Sequence, residues 1–206
     1  MNNSERFTVF SQKRADTMIP PEEEIRKAVE VLEQGGVILY PTDTIWGLGC
    51  DAENETAVQT IYRIKQRPAQ KSFIVLMLPA MLSRYFPDLT ESLAAEMIRP
   101  GRPTTWILPG AGGLASSVKA GDGTAAIRIP QDDFCPALLE KFGKAVVSTS
   151  ANFAGAPPPR HYGDIDPALI SKADYVVGWR QDDRTPARPS RIIKILPDGS
   201  RAIIRE

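Results

Sequence analysis

Short apolar runs alternate with stretches of helical periodicity along most of the 206 residues, and that alternation narrows the fold more than any other feature. "VILY" (37–40), "FIVLML" (73–78), "TTWILP" (104–109), "TAAIRIP" (124–130) and "AVVSTS" (145–150) read as buried strands. Helices lie between them. Pro20 and Pro21 open the first, and Glu22, Glu23 and Glu24 occupy its first turn, where the helix dipole favours acids. Ile25, Ala28, Val29 and Leu32 follow at helical spacing until Gly35-Gly36 ends the pattern. Asn54 is placed to cap a second helix whose apolar face is Ala57, Val58, Ile61 and Ile64. Further helices are expected at 90–98, 133–142 and near 167–172, with a strand at "YVVG" (175–178). A closing hairpin runs from "RIIKIL" through Asp198-Gly199 into "RAIIR". Strands alternating with helices predict an α/β class and one domain over residues 20–206, and the hairpin makes its sheet mixed. Residues 1–19 are polar and unpatterned, and read as an N-terminal leader or edge segment.

Lys plus Arg and Asp plus Glu number 25 each, so the formal net charge is zero. That argues against binding nucleic acid by bulk charge. Cys50 and Cys135 form no CxxC, which suggests neither a zinc site nor a disulfide framework. No metal held by side chains is expected. The N-terminus lacks a signal-peptide core, and no apolar run reaches the ~18 residues of a membrane span. The cytoplasm is the expected location, with no membrane partner.

Four stretches carry polar chemistry. In "YPTDTIWGLGCDA", Gly47-x-Gly49-x-x-Ala52 nominally matches a dinucleotide fingerprint, but six residues separate Tyr40 from Gly47. Where the ribose-binding acid belongs, "RIKQRPAQKS" (63–72) holds four cations and no acid. The stretch otherwise reads as a glycine-rich turn with Thr42 and Thr44 bonding the local backbone. Lys65-Gln66-Arg67, with Lys71 behind, suits either a solvated helix end or a polyphosphate. "VVSTSANFAGAPPP" (146–159) ends a strand in hydroxyls and an amide, either to close it in a turn or to meet a ligand beyond the strand's carboxyl end. Arg128 interrupts "AAIRIP", on a solvated face or aimed at an anion, and Ser190 and Arg205 are similar candidates in the hairpin region. His161, the sole histidine, has no evident acid partner in sequence, and no carboxylate pair stands out.

The order of these segments is more telling than any one of them. "GGVILYPTDTIWGLGCDA", "KQRP", "PTTWILPG", "TAAIRIP", "VVSTSANFAG" and "PSRIIKI" together resemble the YrdC family over residues 20–206, specifically its L-threonylcarbamoyl-AMP synthases. Lys65-x-Arg67 and Ser150-x-Asn152 match the KxR and SxN motifs that a paralogous branch lacks. The resemblance implies a twisted mixed sheet flanked by helices around a concave, positively lined cavity. It also implies a nucleotidyltransferase that joins L-threonine, bicarbonate or carbon dioxide, and ATP into threonylcarbamoyl-AMP, releasing pyrophosphate. By motif, Thr44, Arg128, Ser150 and Ser190 hold threonine, and Lys65, Arg67, Lys71, Thr124, Asn152 and Arg205 hold ATP. Lys65 and Arg67 would stabilise the phosphates in catalysis, with magnesium accompanying ATP. A threonylcarbamoyl-transfer complex acts downstream on tRNA, and tRNA itself is a secondary candidate partner.

This chain departs from the family pattern at Trp46, usually Tyr, at Ser72-Phe73, commonly Pro-Leu, and at Leu76, His in some relatives. It also has "RPGRPTTWIL" in place of Trp-Pro-Gly-Pro, and Arg191 after Ser190 where Thr is typical. It resembles the short form that lacks an extra C-terminal domain. Two competing readings are a double-stranded RNA or tRNA-binding module of the same fold without chemistry, and a nucleotide-dependent regulator or maturation factor of the paralogous branch.

Overall fold

A computed structural model describes residues 20–66 and 72–206, so the N-terminal leader, Arg67 and Lys71 lie outside the described residues. In chain order the elements are α1 (Glu22–Glu33), β1 (Ile38–Tyr40), β2 (Gly47–Gly49), α2 (Glu55–Lys65), β3 (Ile74–Leu76), α3 (Leu82–Tyr85) and α4 (Glu91–Ile98). There follow β4 (Thr104–Leu108), β5 (Ala125–Arg128), α5 (Phe134–Phe142), β6 (Val146–Ser150), α6 (Pro167–Ile170), β7 (Tyr175–Val176), β8 (Arg191–Ile195) and β9 (Arg201–Arg205). The strands form one mixed sheet in the order β7-β1-β2-β6-β3-β5-β4-β8-β9.

The helix ends follow local chemistry. The Asn54 side chain accepts from the Ala57 N–H at 3.1 Å and so caps α2. Gly35 takes φ +75°, and the Gly36 N–H closes on the Val31 carbonyl at 2.8 Å, stopping α1. In the last hairpin, Gly199 at φ +80° lets β8 turn into β9.

One strand was not expected. The Gly-Leu-Gly segment, read from sequence as a turn, is β2, inserted antiparallel between β1 and β6. Its glycines are a packing requirement. A Cβ on Gly49 would sit 2.6 Å from Tyr40 Cε1 and 2.7 Å from the Val147 carbonyl oxygen. The Tyr40 ring crosses this strand, so side-chain-free backbone is what permits three strands to lie together there.

The two faces of the sheet are filled differently, and that difference makes the site. On one face Leu39, Leu48, Val75, Trp106, Ile127 and Val147 pack with α2 and the 73–118 region into the larger core. On the other, Ile38, Tyr40, Leu76 and Val146 are covered by the apolar sides of α1 and α5. That cover stops short. Farther along this second face the residues become Ser148 and Ser150 on β6, Ala126 and Arg128 on β5, and Thr105 and Ile107 on β4, and they line a cavity.

Candidate active site

The cavity has a volume of about 400 Å³. Strand residues make its floor, and its walls come from the loop after β1, the start of β3 and the β8–β9 region. It therefore sits on the sheet face, and not beyond the carboxyl ends of the strands, which was one of the two readings open for residues 146–159. The reason is the missing helix cover: α1 and α5 protect only the apolar part of that face.

Thr44, Arg128, Ser150, Ser190 and Arg205, from five separate segments, all line this space. Arg128 is 3% exposed, which removes the solvated-face alternative for it. Its Nη1 donates to Thr44 Oγ1 at 2.8 Å, and its Nη2 lies 3.2 Å from Asp43 Oδ1. Thr44 is fixed in turn by Thr42, whose Oγ1 lies 3.0 Å from Thr44 Oγ1 and accepts from the Thr44 N–H. Both Thr42 and Thr44 thus bond locally, and Thr44 also faces the cavity.

Arg205 reaches back from β9 and donates to the Ser190 carbonyl from Nε at 2.9 Å and Nη2 at 2.6 Å. Burial and the nearby Arg128 charge hold its pKa below the usual guanidinium value. Among the described residues no carboxylate lies within ion-pairing distance of Arg205. Two guanidinium groups therefore border one cavity, and only one of them has a carboxylate beside it. An anionic ligand there would relieve their mutual repulsion.

The other expected contacts are arranged differently. Lys65 is 2% exposed, and its ammonium donates to the carbonyls of Ser150 and, at 2.7 Å, Asn152. It lies beneath the Ser-x-Asn turn and does not belong to a solvated basic face. Asn152 Nδ2 donates to the Phe153 and Ala156 carbonyls, at 3.0 and 2.6 Å, which shapes the loop after β6. Thr124 is buried just before β5 and donates to Asp122 Oδ1 at 2.6 Å. Asp122 pairs in turn with Lys194 at 2.7 Å. Lys65, Thr124 and Asn152 flank the cavity's Ser150 and Ala126 segments without lining it. His161 does have an acid beside it, Asp164 at 3.4 Å, and lines a smaller neighbouring cleft with Arg160 and Arg180.

Three polar participants escaped sequence reasoning. Thr105 is fully buried, and its Oγ1 lies 2.8 Å from Ser190 Oγ on the cavity wall. Its signal was its register opposite Arg128 across the β4–β5 pair, which sequence alone does not contain. Asp43 and Asp132 form a carboxylate pair linking the loop after β1 to the start of α5. Asp132 accepts the first N–H groups of α5, a helix-start signal readable as "DD" before Phe134. Trp46, one of the departures from the family pattern, packs its ring 4.9 Å from Tyr162.

Residues 30–206 match the profile of the Sua5/YciO/YrdC family, described as telomere recombination. A threonylcarbamoyl-AMP synthase of Xanthomonas campestris pv. campestris is 37% identical over 87% of this chain and 100% of its own length. One from Xanthomonas euvesicatoria pv. vesicatoria is 41% identical over 85% of this chain and 97% of its own. Among solved structures, E. coli YciO superposes with a TM-score of 0.76 at 28% identity, covering 91% of this chain and 90% of that one. P. abyssi Sua5 complexed with L-threonine superposes at 0.78 with 25% identity, over 90% of this chain but 54% of that longer protein. With the family profile matched over residues 30–206 and relatives 37% and 41% identical over most of its length, the chain belongs to the Sua5/YciO/YrdC family.

Proposed function

We propose that this protein is a threonylcarbamoyl-AMP synthase. It joins L-threonine, bicarbonate or carbon dioxide, and ATP, and releases pyrophosphate, for the modification of adenosine in tRNA. The observation that carries this reading is the cavity in which Arg128 and Arg205 stand among the hydroxyls of Thr44, Thr105, Ser150 and Ser190. That set suits a small amino acid carrying a carboxylate and a hydroxyl.

The threonine amine adds to the carbon of carbon dioxide and loses a proton, giving a carbamate. A carbamate oxygen then attacks the α-phosphorus of ATP as pyrophosphate leaves. An anion approaches a polyanion, so alignment and charge neutralisation are the protein's main tasks. In this reading Arg128, with Thr44, Ser150 and Ser190, holds threonine. Lys65, Arg67, Lys71, Thr124, Asn152 and Arg205 meet ATP, and magnesium arrives as part of the ATP substrate. Lys65 supports the nucleotide side through the carbonyls of Ser150 and Asn152 that it binds. The transfer complex and tRNA are downstream partners, and the cytoplasm is the proposed place of action.

An RNA-binding module without chemistry has less support. Its motivation was the cation cluster around residue 65, and Lys65 is buried in backbone contacts. The test is pyrophosphate release from magnesium-ATP with L-threonine and bicarbonate each omitted in turn. Release requiring both is expected. Release without threonine, or none with both present, overturns the proposal.

A further inference from the structure

The threonine side of the cavity is braced by a carboxylate that does not line it. Asp132 lies between β5 and α5. Its Oδ1 accepts from the backbone N–H groups of Phe134 at 2.8 Å and Cys135 at 2.7 Å, so it satisfies the first two donors of α5 from the position before the N-cap, Asp133. Its Oδ2 accepts from the backbone N–H of Asp43 at 3.1 Å, 89 residues earlier in the chain. Asp43 reciprocates, its Oδ2 accepting from the Gln131 N–H at 3.3 Å. The loops that follow β1 and β5 are thus stitched together twice, each aspartate binding the other loop's backbone.

The ion pair at the end of this network is too loose to align itself. Asp43 Oδ1 approaches Arg128 at 3.2 Å, yet among the described residues neither that oxygen nor Arg128 Nε has a hydrogen-bond partner. A forked, bidentate pair would fix both groups, and this one does not. What holds Asp43 beside Arg128 is therefore the backbone stitching, in which Asp132 is the anchor. From Arg128 the chain of contacts continues to Thr44 Oγ1 and then to Thr42. Burial raises the Asp132 pKa, and the Asp43 charge adds to that, against the lowering effect of the Cys135 N–H. A carboxylate costly to keep in place is retained at this junction.

We infer that Asp132 is a positioning residue for threonine: acting through Asp43, it sets the orientation of the Arg128 guanidinium and the Thr44 hydroxyl. The inference rests on the reading of this cavity as the threonine site. Two substitutions separate support of α5 from anchoring. Asp132→Ser retains a hydroxyl acceptor for the first N–H groups of α5 but is too short to reach the Asp43 N–H. Asp132→Asn keeps shape and that acceptor, and turns an amide donor toward the Asp43 N–H. Calorimetric titration with L-threonine alone, and with ATP alone, would be followed by steady-state turnover.

Both variants should remain folded and bind threonine about five- to tenfold more weakly, the effect of one misaligned hydrogen bond. Their ATP affinity should stay within about twofold, and KM for threonine should rise more than kcat falls, as expected for lost ground-state alignment. In combination with Asp43→Ser, Asp132→Ser should add little further loss, because both act in one network. Wild-type threonine affinity in either folded variant overturns the inference and leaves the synthase reading intact, as does a fully additive double variant. A wild-type protein that does not bind threonine overturns both.

Discussion

Replacing Lys65 by methionine separates two roles that the KxR motif leaves merged. The side chain is 2% exposed, and its ammonium bonds the carbonyls of Ser150 and Asn152. The Ser150 carbonyl also accepts from the Asn152 N–H at 2.9 Å, so it keeps a partner when the ammonium is removed. The Asn152 carbonyl has no second bond of that kind among the described residues. Each hydrogen bond to a charged group contributes about 1.5–3 kcal/mol. Relief of the ammonium's desolvation offsets part of that sum. We expect a net loss of about 2–4 kcal/mol, which for a chain of this size lowers the unfolding temperature by roughly 5–15 °C. Urea unfolding followed by tryptophan fluorescence measures it, an unchanged slope showing that the folded state is otherwise intact. Pyrophosphate release should fall in parallel, because Ser150 and Asn152 lose their common support. A lysine that touched only phosphate would behave in the opposite way. The methionine variant would then be as stable as the wild type or more so, while turnover vanished. That result would refute the backbone-clamp reasoning.

Gly49→Ala should destabilise the protein by about 1–3 kcal/mol or more, because its new methyl overlaps the Tyr40 ring and the Val147 carbonyl in a strand paired on both sides. Thermal unfolding checks it, and a variant as stable as wild type would show that β2 does not lie against Tyr40 as described. The Glu55 carboxylate is pulled down to about 2, chiefly by the Ser117 hydroxyl, with Gln59 and Ser116 adding to it. A carboxylate depressed in the folded state stabilises fully above its unfolded value of about 4.3 and loses that contribution as pH falls through its folded value. Acid unfolding of Glu55→Gln should therefore be flatter than that of the wild type between about pH 4 and pH 2, by a modest amount because the group is partly exposed. Coincident acid curves would count against the Glu55–Ser117 contact.

The elements legible in the sequence were those whose burial is written in residue type. "VILY", "FIVLML" and "AVVSTS" became β1, β3 and β6, trimmed at their ends, and Asn54 capped the helix it was expected to cap. The β2 strand was illegible because Gly-Leu-Gly has no strand preference of its own, and its conformation is imposed by Tyr40 and by partners on either side. Arg128 shows a different limit. Strand alternation puts it on the face opposite Ile127 and Ile129, but does not show that helices leave that part of the face open, which is a property of where α1 and α5 end. The convergence of Thr44, Arg128, Ser150, Ser190 and Arg205 came from motif order, since no local pattern joins residues so far apart. Lys65 was readable as a cation and not as a buried one. Asp132 was hidden because its partner is 89 residues away.

Most of the cavity's polar groups stand on β4, β5 and β6, strands with a neighbour on each side. Arg205 does not. It belongs to β9, the outermost strand, which is laddered on one side only. Local opening is cheaper at such a margin than in the sheet interior. Fraying of the last strand would take with it the two N–H contacts to the Ser190 carbonyl, and with them one of the two guanidinium groups. The site thus has a floor paired on both sides and one positive wall held at a sheet edge, so the charge a ligand meets on entry depends on how firmly that edge is zipped.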